Sequence, residues 1–432
     1  MKLPRLLAAA AAVGLATGAA SALFLMLYEA VRFWPAEPGR TVLLGVVLTR
    51  PLLVALPALG GLLCGLIVAR FEPAARGTGT PELLHALRAK GPPLRARYAA
   101  WKTLASVFTA CSGGAAGPEA PMVTCGAGIA AWTSRRLKVS ARAERTLTAA
   151  GAAAGFAAVF DAPVAGALFA LEVLLRETSP RAVSAVLVAA AAGTAAARAV
   201  LGPRESLHAV ATGAAPRSPG ALGVYLLLAG AAALFSKLFI ETAIHVEKAF
   251  DHALKSAPAR AAAGGLLLGL LGLVVPQALG NSHPDLPRLF SAESAAPLAA
   301  ASLLILLLGK TLACPLTVGS GGSGGIFIPY LFMGAALGGV VARLTHAPAA
   351  GVMLAGMGAV FAAVTLAPFT AVALVLELTR NWSMALPLAL TVAATVAAAR
   401  AVEPESLDTR KLLKRGVNLR ASTDGWAVDS PD

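Results

Sequence analysis

Charge is what this sequence has least of. Only 13% of its 432 residues are Asp, Glu, Lys or Arg, against 57% hydrophobic, and mean hydropathy is +0.74. A soluble domain carries about twice that share of charge, which excludes an ordinary soluble fold. The four cysteines, Cys64, Cys111, Cys125 and Cys314, sit in apolar stretches and form no C-x-x-C pair. That leaves neither a zinc site nor a disulfide framework to expect. The six histidines are scattered and give no metal pattern, so no metal and no cofactor is expected. The formal net charge of +14 raises nucleic acid as a partner, yet no basic region is interleaved with aromatics for base stacking. No nucleic acid is expected.

What the sequence does have is charge-free runs: Leu6–Tyr28, Pro51–Ala69, Ala261–Pro284, Thr311–Ala342, Leu344–Leu376 and Asn381–Ala399. Each reaches the roughly 18 residues that suggest a membrane span, and two are long enough for a helical pair. The shorter runs Ala182–Ala197 and Gly220–Ser236 fit tilted or partial helices. The fold class is therefore an all-α polytopic membrane protein. The basic start could be read as a signal peptide, but the apolar run continues to Tyr28 and favours a retained first helix. Basic residues cluster at Arg70–Lys102, Arg135–Arg145 and Arg410–Arg420, which suits loops facing anionic lipid and places both termini in the cytoplasm.

The chain repeats itself. "KTLASVFTACSGGAAGPEAP" from Lys102 and "KTLACPLTVGSGGSGGIFIP" from Lys310 match without a gap, 208 positions apart (102 and 310). "GFAAVFDAPVAGALFALE" and "GAVFAAVTLAPFTAVALVLE" follow, ending on Glu172 and Glu377, 205 positions apart (172 and 377). The expected organisation is two halves, 1–200 and 221–420, joined by the polar link 201–220 and followed by a polar tail, 421–432. Duplicated membrane proteins commonly build a site at the bilayer midplane from broken helices.

Three glycine-rich stretches precede a proline at the start of an apolar helix: Arg76–Leu87, Gly113–Val123 and Gly321–Phe332. Such backbone is tolerated at membrane depth only where it lines a cavity or is buried in protein. The helix N-termini it exposes carry unpaired N–H donors and partial positive charge, a ready anion seat. Close helix packing explains isolated residues such as Gly166 or Gly338, but not glycine runs at matched positions in both halves. A phosphate loop is set aside because no Gly-Lys-Ser/Thr follows "GSGGSGG". Within the second stretch one acid, Glu119, stands in a region uncharged from Thr103 to Ser134. A lone acid inside a membrane span is a functional hypothesis by default, against the plainer reading of a helix N-terminal charge.

These residues resemble the CLC family of chloride channels and proton-coupled chloride exchangers. "GTGTPE" at Gly77–Glu82, "GGAAGPEAP", "GSGGSGGIFIP" and "FAAVFDAPVAGALFALE" carry the likeness, which extends from about Leu6 to Arg415. The resemblance implies two inverted halves of about eighteen helices, some broken at the midplane, a homodimer, and chloride as the transported ligand. It implies that Glu119 is the gating carboxylate and that Gly77, Thr78, Gly79, Ala120, Gly325, Ile326 and Phe327 bind the anion. Thr78 would act through its hydroxyl, Ile326 and Phe327 through backbone N–H groups. At the position equivalent to Glu119 the second half has Phe327, so one half carries the gate.

Three positions depart from the family pattern. Pro118 replaces the usual arginine before the gate, removing a cation and a backbone donor. Val173 stands where exchangers often have a second glutamate, leaving Glu172 as a candidate proton-path residue, although its partner Glu377 favours a structural role. The final helix reads "ESLDTRKLLKRG", which puts Asp408, or Leu407 with a one-residue shift, where the family often has tyrosine; Asp408 is a candidate pore-lining acid. A gated chloride channel and a loosely coupled chloride/proton exchanger both fit. Fluoride or nitrate is the alternative cargo. An intramembrane protease built on Ser320 or Ser323 is the rival from another class, but it needs a nearby base, and His283 and His346 lie only at the ends of long runs.

Overall fold

The computed structural model describes residues 1–31, 34–37, 40–43, 46–48, 50–88, 94–202, 219–283, 285–290 and 298–419. The tail 421–432 and nearly all of the polar link, 203–218, lie outside the described residues. The first half contains α1 (Leu3–Val31), α2 (Arg50–Arg70), α3 (Thr80–Arg88), α4 (Ala96–Cys111), α5 (Glu119–Arg136), α6 (Ala141–Phe160), α7 (Pro163–Phe169) and α8 (Pro180–Leu201). The second contains α9 (Pro219–Ala253), α10 (Ala257–Val274), α11 (Asp285–Phe290), α12 (Ala300–Val318), α13 (Phe327–Leu344), α14 (Ala349–Thr365), α15 (Pro368–Thr379), α16 (Ala385–Val402) and α17 (Leu407–Lys414). A small antiparallel sheet, β1 (Trp34–Glu37), β2 (Arg40–Leu43) and β3 (Val46–Leu48), follows α1 and is the one departure from an all-helical chain among the described residues.

Among the described residues, eight helical stretches are long and apolar enough to cross a membrane. Their outward faces carry leucines left bare, such as Leu226, Leu227 and Leu234 on α9 and Leu266, Leu267 and Leu270 on α10. Water would make that surface costly, whereas hydrocarbon does not. The two longest uncharged runs each divide as expected. Thr311–Ala342 spans the end of α12 and most of α13, and Leu344–Leu376 becomes α14 and most of α15. The run Gly220–Ser236 does not end where its charges begin. It is part of the 35-residue α9, whose polar end is held by ion pairs: Glu241 with Arg410 at 2.8 Å and Glu247 with Lys411 at 2.9 Å. Hydropathy misses this because tertiary partners, not lipid, cover that end of the helix.

The halves are related by a local two-fold axis, and the contacts show it by reciprocity. If residue i of one half meets residue j of the other, the repeat-equivalent of j meets the equivalent of i. The Ala115 N–H donates to Thr317 Oγ1 at 3.0 Å, and the Ser323 N–H donates to Thr109 Oγ1 at 3.1 Å. A Cβ on Gly61 would stand 2.2 Å from the Ala261 carbonyl oxygen, and one on Gly265 2.0 Å from that of Pro57, so α2 and α10 cross where neither has a side chain. Six of the seven non-glycine residues in left-handed backbone among the described residues also pair by repeat: Lys138 with His346, Asp161 with Leu366, Arg176 with Arg380; the seventh, Ser282, pairs with Gly79. Backbone of that kind is disfavoured for residues with a Cβ, so its recurrence marks one chain path used twice.

Candidate functional site

Gly117 and Gly325 lie on the axis and bond to each other. The Gly117 N–H donates to the Gly325 carbonyl at 2.7 Å and the Gly325 N–H to that of Gly117 at 2.9 Å. The third glycine loop joins through a parallel bridge: the Gly77 N–H donates to the Gly322 carbonyl at 2.8 Å, and the Gly324 N–H to the Gly77 carbonyl at 3.2 Å. Gly77 turns into the bridge at φ +73°, a region L-residues rarely enter. All three loops expected from sequence thus meet, and each opens a helix: Thr80 starts α3, Glu119 starts α5 and Phe327 starts α13.

Glu119 is wholly buried. Its carboxylate reaches across the axis, where Oε1 accepts the Ile328 N–H at 2.9 Å, in the first turn of α13. The other oxygen, Oε2, is buried without a hydrogen-bond partner among the described residues. It lies against the axis itself: a Cβ on Gly117 would stand 2.2 Å from it and one on Gly325 2.5 Å. The Ala120 nitrogen stands 2.8 Å from the same point on Gly325. Pro118, in helical backbone ahead of the acid, supplies no donor, as expected. A helix N-terminus, a space kept open by two glycines and a half-satisfied carboxylate thus meet at one point.

Thr78 is buried, and its hydroxyl donates to Asp408 Oδ1 at 3.2 Å. This settles the register of the last helix: Asp408 faces the glycine loop, while Leu407 is packed in the core. Ile326 is the residue before α13 and Phe327 its first. The Phe327 ring enters an aromatic cluster, with centroids 5.7 Å from Phe156, 5.5 Å from Phe169 and 5.6 Å from Phe361.

Two lysines at the head of the repeated segments went unassigned in the sequence reading. Lys102 and Lys310 are fully buried. Lys102 Nζ donates to the Ala75 carbonyl at 3.1 Å and to that of Gly77; Lys310 Nζ donates to Ala278 at 2.8 Å and Gly280 at 2.9 Å. Each ammonium therefore fixes the loop before a short helix by gathering its carbonyls. The signal was present as a lone cation repeated at the edge of an apolar run. Lys310 also exposes a wider repeat, "GNSHPD" from Gly280 against "GTGTPE" from Gly77, 203 positions apart (77 and 280). That pair is hard to find from sequence because few of its letters agree.

Glu172 and Glu377 form mirrored caps. Glu377 accepts the Val164 N–H at 3.0 Å and the Ala165 N–H at 2.7 Å; Glu172 accepts those of Phe369 at 3.1 Å and Thr370 at 2.8 Å. The carboxylate of each half closes the N-terminus of the other half's helix, α7 or α15. Both Glu172 oxygens are engaged at α15. The hydroxyls of the protease reading are taken up too: Ser323 Oγ bonds the Ala75 carbonyl at 2.8 Å and Ser320 Oγ that of Thr317 at 3.1 Å.

Architecture and site together define a multi-pass membrane protein, two related halves closed around a buried carboxylate at a helix N-terminus. The sequence profile of the family described as Voltage gated chloride channel matches residues 60–400, and the chain belongs to that family. It is 32% identical to the H(+)/Cl(-) exchange transporter ClcA of Citrobacter koseri, over 80% of this chain and 75% of that protein. It is 30% identical to the ClcA exchange transporter of Vibrio cholerae, over 85% of this chain and 80% of that one. Among solved structures, a slow cyanobacterial Cl-/H+ antiporter superposes with a TM-score of 0.83 at 25% identity, covering 96% of this chain and 98% of its own. A CLC-type fluoride/proton antiporter shares the fold, with a TM-score of 0.76 at 22% identity over 94% of this chain and 97% of its own.

Proposed function

We propose that this protein carries chloride across a bacterial cell membrane, with Glu119 as its gate. The observation that carries the reading is the Glu119 carboxylate seated on the Ile328 N–H, at the junction of three glycine loops. Main-chain donors that hold a carboxylate also hold a halide, so Glu119 and the ion compete for one seat. Protonation of Glu119 cancels its negative charge, weakens its hold on the donor and frees the seat. Raising chloride does the same by mass action. The anion then meets the Ile326 and Phe327 N–H groups, Ala120 and the Gly325 loop, and passes towards Gly77, Thr78 and Gly79.

The basic clusters support an inner-membrane protein with both termini in the cytoplasm, and the family supports a homodimer. Relatives named as exchangers favour linked proton movement, while Val173 and the engaged Glu172 favour loose coupling.

The test is chloride efflux from liposomes holding purified protein, with proton movement followed in parallel, for wild type and Glu119→Gln. Chloride-driven proton movement that Glu119→Gln abolishes marks an exchanger. Chloride flux without protons, whose pH dependence disappears in Glu119→Gln, marks a gated channel. No anion flux from either protein sinks the transport reading.

A further inference from the structure

We propose that Asp408 is a second protonation-controlled occupant of the anion path: ionised, it blocks the Thr78 position from the α17 side; protonated, it donates a hydrogen bond to an anion there. The inference rests on the transport reading above and names a residue the family pattern does not supply, since tyrosine is usual at this position.

The geometry begins with a shortage of donors. A threonine hydroxyl has one hydrogen to give, and that of Thr78 goes to Asp408 Oδ1 at 3.2 Å. While Asp408 is ionised, that hydrogen is engaged and a negative charge adjoins the spot where a chloride would rest. The other acids nearby are matched by cations: Glu82 with Arg415 at 2.7 Å and Glu247 with Lys411 at 2.9 Å. Asp408 has no ion pair among the described residues. Beside Thr78 lies a cavity of about 10 Å³, close to the room one water needs, lined by Arg76, Thr78, Glu82, Glu247, Lys411 and Arg415. Asp408 reaches Thr78 from α17 beside this cavity, whose lining carries three cations, Arg76, Lys411 and Arg415, and two acids, Glu82 and Glu247.

A carboxylate only accepts hydrogen bonds, while a carboxylic acid can also donate one. Protonation turns Asp408 from a competitor for the Thr78 hydrogen into a second donor for the anion. Proton and anion then favour each other's binding, and by linkage the effect is reciprocal. The sign follows directly: raising the pH ionises Asp408 and weakens anion binding, and lowering it strengthens binding. The groups facing Asp408 are Glu82 of α3, Tyr330 of α13, and Lys411 and Arg415 from its own end of the chain, with Glu247 of α9 behind Lys411. The remaining neighbour, α14, packs on α17 and has no ionisable residue. The plainer account makes Asp408 an acid in the first turn of α17, stabilised by the helix dipole. That account gives no reason for it to occupy the Thr78 hydroxyl.

The experiment is calorimetric titration of the full chain in detergent with sodium chloride, across a series of pH values. It compares wild type, Glu119→Gln, Asp408→Asn and the double variant Glu119→Gln/Asp408→Asn. Glu119→Gln removes the first competitor, so any pH dependence left belongs elsewhere. We expect chloride affinity in Glu119→Gln to fall as pH rises, approaching about tenfold per unit once Asp408 is mostly ionised, the limit for one linked proton. The double variant should bind with an affinity independent of pH. A pH-independent Glu119→Gln protein, or a double variant with the same slope as Glu119→Gln, overturns the proposal while leaving the transport reading intact. Chloride binding absent from all four proteins overturns both. If Asp408→Asn fails to fold, Asp408→Ser carries the same comparison.

Discussion

Residues 119 and 327 begin equivalent helices at one junction, yet one is an acid and the other a phenylalanine. The Glu119 side chain crosses the axis to cap the helix of the other half, α13. The Phe327 ring turns away into Phe156, Phe169 and Phe361. Duplication produces two facing helix N-termini, but the space between Gly117 and Gly325 admits one carboxylate. A second would bring like charges together in a medium that screens them poorly. The asymmetry between Glu119 and Phe327 is thus a consequence of symmetry elsewhere: two matched helix N-termini close to one axis share a single carboxylate.

The most direct way to break the comparison is Phe327→Glu, which gives both halves an acid. It places an unpaired charge in an aromatic cluster and should cost about 3–5 kcal/mol of stability. Thermal unfolding in detergent measures it; an unchanged midpoint would mean that the junction holds two carboxylates. A smaller effect is expected from Gly117→Ala, whose new Cβ would fall 2.2 Å from Glu119 Oε2 and push the carboxylate off its seat. The hydrogen bond to Ile328 is worth about 1.5–3 kcal/mol as a bond to a charged group. Its loss should raise chloride flux at neutral pH and flatten the response to acid; flux like wild type's would show that the carboxylate is held by something else. Least of all should come from Glu172→Gln and Glu377→Gln. As mirrored caps they should each lose about 1 kcal/mol and leave any proton-linked flux as it was. If Glu172→Gln alone removed proton movement, the mirror would be structural only and Glu172 would return as a proton carrier.

The sequence by itself determined the membrane class, the duplication, the three glycine loops and the lone buried acid. Each of these is local: a charge-free run, a repeated string, a glycine beside a proline. Lys102, Lys310, Glu172 and Glu377 were visible as repeated letters, but their partners were not, because apart from the Thr370 hydroxyl on Glu172 those partners are backbone groups that any sequence supplies. Only the tertiary structure decided that Glu119 caps α13, that Gly117 and Gly325 bond to each other on the axis, and that Asp408 takes the Thr78 hydroxyl. These contacts join positions 209, 208 and 330 residues apart. Their directions are set by how two halves pack, since an unmet donor or charge is costly inside a bilayer and the chain settles where each finds a partner.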